Sequence, residues 1–267
     1  HLAAQPYVME GYKNPLETIN TNIVGTANLV RSAITNKIKH NVIITSDKVY
    51  KNYNKKTFFN ENSEMGGSDP YSMSKSCAEL VTRSFSESYN TKLFIDTVRA
   101  GNIIGGGDFG KNRLIPDIYF AKFKKRKLIL RYPNAIRPWQ NVLDAIHAYS
   151  LIPLNQDKRK KTYDSWNIGP RKYEAKISVK KLVEKFLLSF DVADKTKTKF
   201  KSSKHKESKI LMLNSYKIRK KLSWENIFNI NITIKQTGKW YKIFQNKDMI
   251  NLRKHSESIL NQLIDKV

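Results

Sequence analysis

Between residues 15 and 98 helical and strand-like patterns alternate with short connections, an order that points to a parallel sheet covered by helices. Residues 15–36 place Leu16, Ile19, Ile23, Ala27, Val30 and Ile34 three and four apart, which predicts a helix. Residues 41–44 (NVII) form a β-branched run that opens into the polar TSDK, as a buried strand does when it ends at a site. A second helical stripe runs from Tyr71 to about Tyr89 through Cys77, Leu80, Val81 and Phe85. Residues 93–98 (LFIDTV) read as the next strand, and the glycine-rich GNIIGGG follows at 101–107. The expected fold is therefore α/β, a doubly wound parallel sheet.

Beyond residue 110 the units shorten. Helices are expected at 116–123, 142–154, 179–190 and 234–244, and strands at 128–130 and 166–168. The domain division expected is 1–110 and 111–267, the latter with some segments returning to the first sheet.

Charge raises a rival to any enzymatic reading. The 49 Lys+Arg against 23 Asp+Glu give +26, the electrostatic footprint of a nucleic-acid binder. Residues 1–110 carry 12 basic and 10 acidic side chains, net +2, whereas 111–267 carry 37 and 13, net +24. Yet 38 of the basic residues are Lys and 11 are Arg, mostly scattered singly, and nucleic-acid readers favour the planar fork of Arg. A solvated Lys and Asn surface is the expected reading, a polyanion-binding face the alternative, and nucleic acid is not an expected partner. Of two denser clusters, 122–127 is expected to be a helix end entering a strand, and 195–206 a loop or exposed edge.

No apolar run reaches the roughly 20 residues of a membrane span, so no membrane partner is expected. Cys77 is the single cysteine, which fits a reducing, cytoplasmic setting and leaves no cysteine-cluster metal site. The five histidines lack metal-ligand spacing, and no metal is expected.

Two short stretches carry chemistry. In DPYSMSKSCAEL, Tyr71 and Lys75 are four residues apart, on one helix face, where an ammonium favours the ionised phenol and makes Tyr a proton acceptor. A lone pair of this kind is weak evidence, since an exposed helical pair looks the same. Here it follows Thr45-Ser46-Asp47-Lys48, two hydroxyls, a carboxylate and an amine at the carboxyl end of a strand, where open α/β sheets hold ligands.

With these residues in view, the chain resembles the extended short-chain dehydrogenases/reductases that act on nucleotide sugars, most closely the CDP-glucose 4,6-dehydratases. The matching stretches are HLAAQPYV, PLETINTNIVGT, TSDKVY, GGSDPYSMSKSCAEL, RAGNIIGGGDF, NRLIPD and PNAIRPWQNVLD, then more loosely WNIGP and a late WY. They run in order to about residue 170, and the resemblance is weak from 171 onward.

The resemblance implies a Rossmann-type domain and a smaller carboxyl-terminal α/β domain for the nucleotide sugar, with NAD as cofactor, CDP-glucose as substrate and a homodimer through helices 15–36 and 71–89. It implies Tyr71 as the base at the sugar 4-hydroxyl, Lys75 as the ribose contact that favours the ionised phenol, and Ser46 as a hydroxyl against the sugar. Asp47 is expected to protonate the departing C6 hydroxyl. Lys48, which stands where dTDP-glucose dehydratases have Glu, is expected to assist loss of the C5 proton. Ala3, Ala4, Gln5 and Thr45, with Tyr71 and Lys75, are expected along the cofactor, and Asn102, Arg113, Leu114, Ile115 and Arg137 along the substrate.

Alternatives stay open for Asn102 as a loop cap, for the glycines at 105–107 as a plain turn, and for Trp139 as core or base contact. The family's GxxGxxG phosphate turn is absent from the sequence, so the resemblance implies an amino-terminally truncated Rossmann domain whose complete form is the active one. Rival readings are another nucleotide-sugar dehydratase, a 4-epimerase, or a basic, non-catalytic RNA-binding protein.

Overall fold

The computed structural model describes residues 1–89, 92–190, 198–200 and 208–267. They divide into two compact units, His1–Gly101 with Ile146–Gly169 and Leu211–Trp224, and Asn102–Ala145 with Pro170–Ile210 and Glu225–Val267. The first break falls ahead of residue 110, and two later segments rejoin the first unit. Elements are numbered in chain order.

The first unit is built on a three-stranded parallel sheet in the order β1, β3, β7, formed by His40–Ile44, Phe94–Ala100 and Tyr163–Ile168. His40 pairs with Phe94 and Ile44 with Val98, while Ile95 pairs with Tyr163 and Ala100 with Ile168. Helices α1 (Val8–Lys13), α2 (Pro15–Ile19), α3 (Gly25–Thr35) and α4 (Pro70–Ser88) belong to this unit. So do the short strands β2 (Phe58–Phe59) and β9 (Met212–Leu213), which pair in parallel, and helix α8 (Tyr216–Leu222). Val98, Ala148, Ile152, Trp166, Ile168, Ile218 and Trp224 form one core cluster, and Val30, Ile43, Leu93 and Ile95 another.

Strand β3 is almost wholly buried, yet it carries Asp96, Thr97 and Arg99. Asp96 and Thr97 are satisfied inside the protein, as burial requires, and Arg99 donates through both terminal nitrogens while its Nε meets no partner among the described residues. Asp96 accepts hydrogen bonds from Arg159, Gln156 Nε2, Trp166 Nε1 and the Asp164 main chain at 2.5, 3.1, 3.2 and 2.9 Å.

The long helix expected over 15–36 is interrupted by one π-helical turn, Asn20–Val24. Such turns insert a residue and rotate the faces on either side. Thr18, Asn22, Thr26, Val30 and Ala33 are the buried positions, and Leu16 stays exposed. In α4 the expected stripe is also displaced. Leu80 is 53% exposed, and the buried face is Tyr71, Lys75, Ala78, Glu79, Thr82 and Ser86. That face works because Ser74, Ser76 and Thr82 return their hydroxyls to the Tyr71, Ser72 and Ala78 carbonyls, leaving a polar helix surface with few unmet donors.

The second unit has a large core of Ile104, Ile118, Tyr119, Leu128, Trp139, Leu182, Phe186, Ile234 and Tyr241 with their neighbours. Strand β4 (Asn102–Ile104) pairs in parallel with β6 (Trp139–Asn141), and β5 (Leu128–Leu130) with β8 (Thr198–Phe200). Helices α5 (Leu114–Phe123), α7 (Val179–Leu188), α9 (Ile230–Gln245) and α10 (Met249–Ile264) complete it, and α6 (Val142–Asn155) continues into the residues of the first unit.

Strand β4 inside the expected glycine loop and helix α10 are additions to the sequence reading. Trp139 lies in the core. Of the Lys-rich stretch 195–206, residues 195–197 and 201–206 lie outside the described residues, and 198–200 form β8. No helix among the described residues is long and apolar enough to cross a membrane.

Candidate active site at the carboxyl end of the first strand

At the carboxyl end of β1 the chain leaves the sheet through Thr45 and Ser46 and closes a 3-10 turn over Asp47–Val49, with Ser46 Oγ accepting from the Lys48 main chain at 3.2 Å. Asp47 is 2% exposed; its Oδ1 accepts from Ser46 Oγ at 3.1 Å and lies 3.8 Å from Lys48 Nζ. Its Oδ2 is buried without a hydrogen-bond partner among the described residues, an acceptor that a ligand can meet.

Helix α4 brings the second half of the chemistry to this end. Asp69 caps it by accepting from the Ser72 main chain at 2.9 Å, and Pro70 starts it. Lys75 Nζ donates to the Ile44 carbonyl at 3.3 Å, which places the ammonium at the last residue of β1. Burial pushes Lys75 down to about 8, with Glu79 opposing the fall. Tyr71 lies one turn earlier on the same buried face, and α1 packs against it through Gly11, whose added Cβ would stand 3.0 Å from the Tyr71 nitrogen.

The amino-terminal segment passes the same strand end. The His1 amino group donates to the Val42 carbonyl at 2.7 Å, and Ile44 N donates to the His1 carbonyl at 3.0 Å. Ala3, Ala4 and Gln5 follow that pairing, Ala3 exposed and Ala4 half-buried. Gln5 is fixed by Asn22 of the π turn, whose Oδ1 accepts from Gln5 N at 2.8 Å and whose Nδ2 donates to Ser74 Oγ at 2.9 Å. Thus Gln5, Thr45, Ser46, Asp47, Lys48 and Lys75 all lie at or beside one strand end, with Tyr71 one turn from Lys75.

The family model for GDP-mannose 4,6-dehydratase matches residues 1–237. The chain belongs to that family. The CDP-glucose 4,6-dehydratase of Salmonella typhimurium is 37% identical over 261 residues, which is 94% of this chain and 72% of that protein. Among solved structures, the dTDP-glucose 4,6-dehydratase of Streptomyces venezuelae with NAD bound superposes with a TM-score of 0.82 at 21% identity, covering 91% of this chain and 72% of that one. The UDP-glucose 4-epimerase of Thermotoga maritima gives 0.79 at 20% identity, covering 91% and 76%. These likenesses establish the Rossmann-type fold. The family match also reaches well past residue 171, where the quoted motifs thin out.

The remaining expected residues belong to the second unit. Asn102 opens β4, and its Oδ1 is buried without a hydrogen-bond partner among the described residues. Arg113 pairs with Asp108 at 3.2 Å and precedes α5. Leu114 and Ile115 begin that helix, Ile115 buried in the core and the half-buried Leu114 packed against it, with main-chain N–H groups of the first turn free of intrahelical partners. Arg137 is buried and donates to the Ile136 carbonyl at 2.9 Å. The glycines at 105–107 form a turn against α9, where a Cβ on Gly106 would come within 2.4 Å of the Trp240 ring. Among the described residues no cluster of His, Cys, Asp and Glu could hold a metal ion.

Two buried residues of the first unit escaped the sequence reading. Glu79 and Arg99 pair at 2.8 Å with side chains 0% and 3% exposed. The signal was present, since Glu79 continues the spacing of Tyr71 and Lys75 by four more residues.

Proposed function

We propose that the protein dehydrates CDP-D-glucose to CDP-4-keto-6-deoxy-D-glucose with NAD as a recycled cofactor. The observation that carries this is the placement of Asp47 and Lys48 beside Ser46 at the same strand end as Lys75, an acid and an amine added to a dehydrogenase pair. The 37% identity to a CDP-glucose 4,6-dehydratase supports the base and the sugar.

The residues present fit NAD. Small side chains at Ala3 and Ala4 let a dinucleotide approach the main chain, and the buried ammonium of Lys75 has no carboxylate at hydrogen-bond distance among the described residues, so it suits ribose hydroxyls. Gln5 and Thr45 line the same approach. When bound there, NAD would supply the hydride acceptor for C4 and the hydride donor for C6.

The chain's own residues do the rest. Tyr71 takes the proton of the 4-hydroxyl, and the neighbouring Lys75 ammonium favours the ionised phenol. Ser46 donates to the sugar hydroxyl under attack. Once C4 is a ketone, the C5 proton is acidic. Lys48 assists its removal, Asp47 donates a proton to the leaving C6 hydroxyl so that water departs across C5 and C6, and the proton taken from C5 is returned there as hydride reaches C6. Asn102, Arg113 and Arg137, with the main chain at Leu114 and Ile115, bind the nucleotide diphosphate, for which Arg is the suited cation.

We further assign a homodimer contact to the outer faces of α2 to α4, where Leu16, Val24 and Leu80 are exposed. A dTDP- or GDP-sugar dehydratase or a 4-epimerase is the second reading, disfavoured by Lys48 and by the RPWQ segment at 137–140.

The test is turnover by the protein made from its full-length gene with NAD and, separately, CDP-glucose, dTDP-glucose and UDP-glucose, read by the base-induced absorbance of the 4-keto-6-deoxy product. Turnover of CDP-glucose above the other two is expected. A preference for dTDP- or UDP-glucose overturns the assigned base, and silence with all three overturns the reaction.

A further inference from the structure

Glu79 is fully buried, one turn beyond Lys75 and two beyond Tyr71 on the same face of α4. Its carboxylate takes hydrogen bonds from the whole width of the sheet. Thr45 Oγ1, just past β1, donates at 2.5 Å, and from β3 Thr97 Oγ1 and Arg99 donate at 2.6 and 2.8 Å. The Tyr163 hydroxyl of β7 donates at 3.4 Å. Arg99 in turn donates to the Tyr50 hydroxyl at 3.0 Å and to the Glu61 carbonyl at 3.0 Å.

One carboxylate therefore ties the helix that carries Tyr71 and Lys75 to the strand end that carries Ser46 and Asp47. A buried ion pair is a poor way to gain stability, because desolvation offsets most of its attraction. Its value here lies in geometry and charge. We infer that Glu79 is a positioning residue for the Tyr71 and Lys75 pair, setting the distance of α4 from the Ser46-Asp47 turn and placing a buried carboxylate one turn from the Lys75 ammonium. In meaning this rests on the dehydratase reading. It also fixes the role of Thr45, whose hydroxyl proton points to Glu79 or to the Val98 carbonyl at 3.1 Å, so that it offers a ligand a lone pair.

The ionisable groups that bear on Glu79 and on its neighbours are Lys75 of α4, Arg99 of β3 and Tyr163 of β7, with Arg83 acting on Tyr163 and with Tyr50 and Glu61 behind Arg99. Lys75 titrates at about 8, held up by Glu79 against a larger desolvation.

Competitive acetylation of lysines with acetic anhydride, read by mass spectrometry across the neutral to alkaline range, tests the inference on the protein without ligands. Lys75 in the parent protein should show a midpoint near 8. In Glu79→Gln it should fall by on the order of one pH unit, and the alkaline limb of CDP-glucose turnover should fall with it. If the single variant does not fold, Glu79→Gln with Arg99→Met removes both buried charges, and its Lys75 midpoint should lie below that of Arg99→Met alone. An unchanged Lys75 midpoint in the folded variant, with turnover lowered equally at every pH, overturns the inference. The labelling requires neither NAD nor sugar. A labelling shift without turnover therefore supports the charge role of Glu79 and counts against the assigned reaction alone.

Discussion

Lys75 keeps its charge at the expense of folding stability. Its folded pKa of about 8 lies below the ordinary 10.5 because burial removes hydration that Glu79 only partly replaces. Between those values the unfolded chain binds more protons than the folded one, so this lysine's contribution to stability improves as pH rises through the window and is least favourable below 8. Lys75→Met, similar in length and without charge, should raise stability at neutral pH by roughly 1–3 kcal/mol while abolishing turnover. Urea unfolding beside the parent protein checks this, and lower stability in the variant would mean that the ammonium is a net structural support. The residues of this site were legible in sequence wherever chemistry forces a spacing, as with Tyr71 and Lys75 or a polar run closing a strand. Glu79 continued that spacing by four residues, but its partner Arg99 sits on an element far away in sequence, so the buried ion pair is recognisable only once both are seen together.

For the elements, the decisive contact is the seat of α4. A Cβ added to Gly67 would stand 2.2 Å from Met73 N and from the Ser72 carbonyl carbon, main-chain atoms that cannot rotate away. Gly67→Ala should therefore cost about 1–3 kcal/mol and shift the first turn of α4, lowering kcat more than a neutral surface change of equal stability. Asp69→Ala at the helix cap should cost about 1 kcal/mol. Thermal unfolding and turnover on the same samples separate the two effects; equal kcat in Gly67→Ala and the parent would show that the loop does not seat Tyr71. Helix and strand positions were readable from apolar spacing, but which face is buried was not. In α4 and in 15–36 the apolar stripe is half exposed while Ser, Thr, Asn, Lys and Glu face inward. The π turn at Asn20–Val24 rotates one stripe, and hydroxyls returning to helical carbonyls make the other inward face tolerable.

At the scale of the whole molecule, a charge of +26 repels itself, and stability should rise as salt screens it. The midpoint of thermal unfolding is expected to increase between low and physiological ionic strength; a decrease would mean that attractive pairs outweigh the excess of lysine. The two units were foreseeable as a change in pattern, whereas the return of Ile146–Gly169 and Leu211–Trp224 to the first was not assignable, since periodicity records a helix without saying which core receives it. In the proposed reaction, oxidation at C4 and loss of water from C5 and C6 fall to different side chains of one strand end. A single turnover of CDP-glucose by Asp47→Asn, quenched at intervals and resolved by chromatography, tests that division most directly. CDP-4-keto-glucose should accumulate, with formation of the 6-deoxy product slowed about 10²-fold or more and oxidation at C4 little changed. Formation of both at the parent rates, or an equal loss of both, would contradict the assignment of water loss to Asp47.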